Sequence, residues 1–92
     1  MYKKETIIKN TTGLHARPAA EFIKTAKTFQ SKLAIQRTDG SVAKSTNAKS
    51  MVTLLTLALA CGEHIEISGD GPDEVAAVDA LIALVDSGFG EL

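Results

Sequence analysis

The stretch Lys32-Leu33-Ala34-Ile35-Gln36-Arg37-Thr38-Asp39-Gly40 decides how this 92-residue chain folds. Leu33 and Ile35 alternate with other residues, the period-2 pattern of a strand with one buried face. Asp39-Gly40 accepts the positive φ angles of a tight hairpin turn, so a strand over residues 32–38 is expected to return antiparallel over residues 42 to about 46. The strand is therefore part of an antiparallel sheet, and helices elsewhere cover one face of it. Upstream, residues 2–9 carry β-branched Thr6, Ile7 and Ile8 and read as another strand. Downstream, residues 64–68 alternate, burying Ile65 and Ile67 and leaving His64 toward solvent.

Between the strands the period changes. Ala19, Phe22, Ile23, Ala26 and Phe29 fall on one helical face, with Glu21, Lys24 and Lys27 on the other, so a helix is expected over residues 16 to about 29. Pro18 sits in its first turn, where a missing N–H costs nothing. Ser50 is a good N-cap for a short helix through Met51, Leu54, Leu55 and Ala58 that ends before Gly62, a cap worth about 1 kcal/mol. The last helix starts near Asp73-Glu74, runs through Val75, Val78, Leu81, Ile82 and Val85, and stops at Gly88. The expected order is β-α-β-β-α-β-α: a single α+β domain over residues 1–92, with helices on one face of a four-stranded antiparallel sheet.

Composition narrows the function. One cysteine, Cys61, excludes an internal disulfide and fits a reducing compartment. With no second Cys or His at ligand spacing it implies no metal site, and it reads as a small buried apolar residue. The first residues lack an apolar h-region and the longest apolar run is too short to cross a bilayer, so a soluble cytoplasmic protein is expected. All ten Lys and Arg lie between Lys3 and Lys49, and eight of the eleven acids lie from Glu63 onward. The halves either neutralise each other on packing or leave an electropositive surface for acidic partners. Nucleic acid is the weaker partner, because aromatics are only 4% and none interleaves with the basic residues as a stacking platform.

The chemistry-bearing segment is Gly13-Leu14-His15-Ala16-Arg17-Pro18-Ala19-Ala20. A helix start offers unpaired N–H groups and partial positive charge, a ready anion site. That field disfavours imidazolium, keeping His15 neutral and nucleophilic, and Arg17 can fork two hydrogen bonds onto phosphate oxygens. The pattern suggests reversible phosphorylation of an imidazole nitrogen. Taken alone, a histidine near a helix start is more often a solvated cap; the eight-residue context is what carries the reading.

That segment resembles the active-site signature of the HPr family, the histidine-containing phosphocarriers of the bacterial phosphoenolpyruvate-dependent phosphotransferase system. The likeness extends over the whole chain, through Ala48-Lys49-Ser50, Gly62 and the turn from Gly69 to Pro72. It implies an open-faced β-sandwich of four antiparallel strands with three helices on one face, and a stoichiometric, monomeric carrier needing no cofactor. His15 then matches the histidine modified on Nδ1 by phospho-enzyme I, and Arg17 the arginine that steadies the phosphoryl group. Ala16, Ala20, Lys24, Lys27, Met51, Leu54 and Leu55 fall where the family docks enzyme I and the IIA components of sugar permeases, although core packing also accounts for Met51 and the leucines. Ser50 matches the serine modified by HPr kinase/phosphorylase. Ser45 is a rival, because about three extra residues separate Gly40 from Ser50; the apolar helix directly after Ser50 favours the latter. The tail from Ala80 to Gly90 resembles the nitrogen-related branch of the family, and a regulatory module acting through the Ser50 helix is the alternative outside phosphotransfer.

Overall fold

The computed structural model describes residues 1–11, 13–14, 17–38, 46–50, 54–55 and 60–90. Four strands, β1 (Tyr2–Ile7), β2 (Lys32–Arg37), β3 (Thr46–Asn47) and β4 (His64–Asp70), form one sheet in the order β1-β4-β2-β3. Two helices accompany them, α1 (Arg17–Ala26) and α2 (Glu74–Asp86), and a 3₁₀ turn follows at Gly88–Gly90. The last strand in sequence is thus central. It pairs antiparallel with β1 from Tyr2↔Gly69 to Ile7↔His64, and with β2 from Lys32↔Asp70 to Arg37↔Ile65.

Of the expected return strand, residues 42–45 lie outside the described residues; where it is described, Ala34 faces Asn47 and Ile35 faces Thr46, antiparallel. The turn residues Asp39 and Gly40 lie outside the described residues. The expected four strands and three helices reduce, among the described residues, to three full strands, a two-residue β3 and two helices. Most of the middle helix expected after Ser50 falls outside those residues, which hold only Leu54 and Leu55 in helical conformation.

The alternation places Leu33, Ile35, Ile65 and Ile67 on the covered face, each nearly or fully buried. Phe22, Ile23 and Ala26 of α1 and Ala77, Val78, Leu81 and Val85 of α2 join them in one core. Burying side chains of this size stabilises by about 1.5–3 kcal/mol each, before the entropy of ordering them. Two assignments are corrected. Val75 is 51% exposed, because it falls off the stripe that Val78, Leu81 and Val85 share. Cys61 is exposed rather than buried: it sits in the turn before β4, its Sγ 3.7 Å from the Lys9 carbonyl oxygen.

The charge split has a direct structural outcome. Lys4 pairs with Asp79 at 3.0 Å and Lys9 with Asp86 at 2.8 Å, tying β1 and the residues after it to α2. Tyr2 donates its hydroxyl to Asp79 at 2.8 Å, and the Thr6 hydroxyl donates to Asp86. Arg37 grips Glu63 with two bonds of 3.1 Å. The basic and acidic halves therefore do neutralise each other along β1 and α2, though such exposed pairs are individually weak.

Asp73 does more than start α2. It makes no side-chain cap bond to its own helix. Its carboxylate instead accepts the backbone N–H groups of Gln30 and Ser31, both at 2.9 Å, and the Ser31 hydroxyl. The Asp73 N–H donates back to Ser31 Oγ at 3.2 Å. Gly71 allows this approach, since a Cβ there would lie 2.7 Å from the Ser31 Cα. The Ser31 hydroxyl first, and the Gln30 N–H next, hold the Asp73 carboxyl below its ordinary range. Hydrogen bonds from Lys4 do the same for Asp79, and from Lys9 for Asp86. A carboxyl depressed in the folded state contributes stability above its unfolded pKa, near 3.9, and that contribution is lost as pH falls through the folded value. The melting temperature is expected to drop as pH is lowered below about 4, with a shallower acid limb in Asp73→Ala. Thermal unfolding of both proteins across pH 2–7 checks this; identical slopes would remove Asp73 from the account.

Candidate functional site at the start of the first helix

The approach to α1 is tightly held. The Ile8 N–H donates to the Glu63 carbonyl at 3.0 Å, and the Gly62 N–H donates to the Ile8 carbonyl at 2.8 Å. The chain then turns through Asn10 to Gly13, whose φ of 66° is the left-handed conformation glycine adopts without steric cost. Leu14 is 1% exposed and pins the far side of the turn in the core. Arg17 begins α1, and Pro18 is buried in its first turn. No acidic residue occupies that turn, so the partial positive charge of the helix start is not offset there.

His15 and Ala16 lie outside the described residues, as do Met51 and Ser45. The other residues singled out from the sequence divide clearly. Arg17 is highly exposed, its guanidinium Nε 3.9 Å from Glu21 Oε1. Ala20 and Lys24 are exposed on α1, and Lys27 is exposed one residue past its end. Spaced by three, four and three residues, Arg17, Ala20, Lys24 and Lys27 form one outward stripe leading away from the helix start.

Ser50 is half-buried; its N–H donates to the Asn47 carbonyl at 3.2 Å and its carbonyl accepts the Leu54 N–H at 3.0 Å. That second bond is what an N-cap position makes. Leu55 is 41% exposed, but Leu54 is 0% exposed, so the docking role expected for Leu54 is corrected to core packing. Adjacent residues on a helical turn point about 100° apart, and here Leu54 faces the core while Leu55 lies at its edge. His64 is exposed on β4, as its alternation with Ile65 requires. Among the described residues no group of three His, Cys, Asp or Glu could hold a metal ion, and no helix is long and apolar enough to cross a membrane.

One buried polar residue lies in the turn just before this segment. Asn10 is 0% exposed, and its Nδ2 donates to the Gly13 carbonyl at 2.8 Å. Asn at the first and Gly at the fourth position of a turn is the available signal, but it marks a turn without revealing burial.

Comparison with known proteins places this arrangement. The family model described as "PTS HPr component phosphorylation site" matches residues 2–87. "Phosphocarrier protein HPr" of Haemophilus influenzae is 48% identical over 85 residues, covering 92% of this chain and 95% of that one. "Phosphocarrier protein NPr" of Proteus mirabilis is 41% identical over 88 residues, covering 96% and 94%. The solved structure of HPr-C-His from Thermoanaerobacter tengcongensis superposes with a TM-score of 0.92 at 40% identity, covering 100% of this chain and 99% of that one. An antiparallel sheet covered by helices on one face, in a chain that matches this family model from residue 2 to residue 87, defines a phosphocarrier. The chain belongs to the HPr family of the phosphotransferase system.

Proposed function

We propose that His15 is the phosphoryl acceptor, that phospho-enzyme I is the donor, and that IIA components of sugar permeases are the recipients. The observation that carries this is the start of α1 at Arg17, two residues after His15, with no acid in its first turn, in a chain that matches the family model over residues 2–87. A ring nitrogen of His15 supplies the electron pair for a new N–P bond while the bond from phosphorus to the donor breaks, its electron pair staying with the donor. The reverse exchange delivers the group to the acceptor. Arg17 and the helix N–H groups then stabilise the phosphoryl oxygens. Ala20, Lys24 and Lys27 of the exposed stripe, together with Ala16, Met51 and Leu55, are the residues proposed to meet partners whose rim is acidic and centre apolar. In this reading the chain is a single-domain, monomeric, cytoplasmic carrier, and Ser50 is the residue that HPr kinase/phosphorylase modifies. NPr relatives at 41% and 39% identity favour the nitrogen branch as the second reading. The test is incubation with phosphoenolpyruvate and enzyme I: one acid-labile phosphohistidine per chain is expected, and acid-stable label or none refutes the proposal. Delivery of that label to a sugar-type rather than a nitrogen-type IIA component separates the branches.

A negative charge at Ser50 is expected to act on docking rather than on folding. Phosphate adds about −1.5 to −2 charge at a helix start, which the dipole favours, but sets it against acidic partners and imposes desolvation of a dianion. Ser50→Asp, with about one charge, is expected to slow transfer from enzyme I without lowering the melting temperature, and salt to weaken wild-type association. Transfer kinetics and thermal unfolding of the variant decide. Unfolding of Ser50→Asp, or binding indifferent to ionic strength, would sink the electrostatic account.

A further inference from the structure

We infer that Asn10 is a positioning residue for phosphoryl transfer, holding the turn that presents His15; the inference rests on the acceptor assignment made above. Asn10 is a polar side chain at the exit of an edge strand, where solvent exposure is the norm, yet it is 0% exposed. Its Nδ2 donates to the Gly13 carbonyl at 2.8 Å, while the Gly13 N–H donates back to the Asn10 carbonyl at 3.1 Å. Two bonds between the same pair of residues close the turn from both sides. A single backbone bond would leave it free to hinge at Gly13, whose φ of 66° carries no side-chain restraint.

The rest of the surroundings makes the Asn10 clamp the joint on which direction depends. Upstream, Ile8 is bonded to both Gly62 and Glu63; downstream, Leu14 is buried and α1 begins at Arg17. Both flanks are therefore anchored, and the turn between them is the connection that directly precedes Leu14 and His15 in the sequence. Transfer between two proteins requires the ring nitrogen and phosphorus to meet at near-attack distance and in line, and a misplacement of about 1 Å costs up to ~100-fold in rate. The outward stripe of Lys24 and Lys27, which serves docking, lies on exposed α1 surface away from this buried clamp. Loss of the Asn10 amide is therefore expected to lower kcat and spare KM.

Steady-state transfer from enzyme I, with this chain as the varied substrate, tests the point. Asn10→Ala is expected to lower kcat about tenfold or more, with KM within about twofold of wild type. Asp73→Ala, which loosens the residue 30–31 tether at a distant connection, is the control for destabilisation alone and is expected to keep wild-type kcat below its melting transition. Should Asn10→Ala fail to fold, Asn10→Leu keeps a similar volume and removes the amide donor without burying a charge, and is read by the same criterion. Wild-type kcat in the folded variant, a loss carried by KM, or an equal kcat loss in Asp73→Ala would each overturn the assignment. Failure of the underlying reading looks different, because the wild-type chain would then take no label on His15, and both proposals would fall.

Discussion

His15→Ala is expected to reduce phosphorylation by enzyme I and phosphoenolpyruvate to background while leaving the melting temperature within a few degrees of wild type. The chemistry demands the first part. Reversible transfer needs a nucleophile that can attack phosphorus near neutral pH and leave readily afterwards, and an imidazole nitrogen meets both needs. Arg17, two residues on, remains a cation and offers only donors, so it cannot take over. The second part follows from position in the sequence: residue 15 precedes α1, which begins at Arg17, so the change removes no residue of the helix, and most single substitutions that leave caps and cores intact change stability by about 0.5 kcal/mol or less. Labelling with radioactive phosphoenolpyruvate, alongside thermal unfolding, gives both readings. Undiminished label would move the assignment to His64, the other histidine, which is exposed on β4.

Phe89→Ala is expected to be among the most damaging changes to stability, although Phe89 lies beyond the last α-helix. Its ring is 3% exposed and joins the core with Leu81 and Val85. Truncating a buried phenylalanine costs about 3–5 kcal/mol, which in a domain of this size lowers the melting temperature by roughly 15–25 °C. The backbone supplies a sharper test. Phe89 has φ 55° and ψ 30°, left-handed values that cost a side-chain-bearing residue roughly 1–2 kcal/mol. Burial of the ring outweighs that strain. Alanine would lose the ring and keep the strain, whereas glycine would lose the ring and relieve it. Phe89→Gly is therefore expected to melt above Phe89→Ala, the reverse of the usual order of the two residues. Urea or thermal unfolding of the pair decides; alanine within about 1 kcal/mol of wild type would mean that the ring does not anchor the chain end.

Much of this protein was legible from residue order alone, because the relevant physics is local. Period-2 alternation put Leu33, Ile35, Ile65 and Ile67 on one face, and the helical stripe of Ala19, Phe22, Ile23 and Ala26 identified the buried side of α1. Asp39-Gly40 implied the antiparallel return that brings Ala34 opposite Asn47. The segment from Gly13 to Ala20 carried the resemblance to the HPr family, and the family match over residues 2–87 bears that membership out.

What tertiary structure alone decided depends on contacts between distant residues. Nothing local in residues 64–70 says that this strand enters between β1 and β2, yet that placement orders the sheet. Charge counting showed two opposed halves, but only β1 lying along α2 pairs Lys4 with Asp79 and Lys9 with Asp86. Asp73 looked like an acid suited to its own helix start and instead tethers residues 30 and 31. Leu54 and Leu55 are the same residue type side by side; packing sends one to the core and leaves the other exposed. Asn10 and Phe89 belong to the same class. A polar turn residue and an aromatic past a helix stop both read as surface by local rules, and both are buried because the assembled core leaves space that each side chain fills.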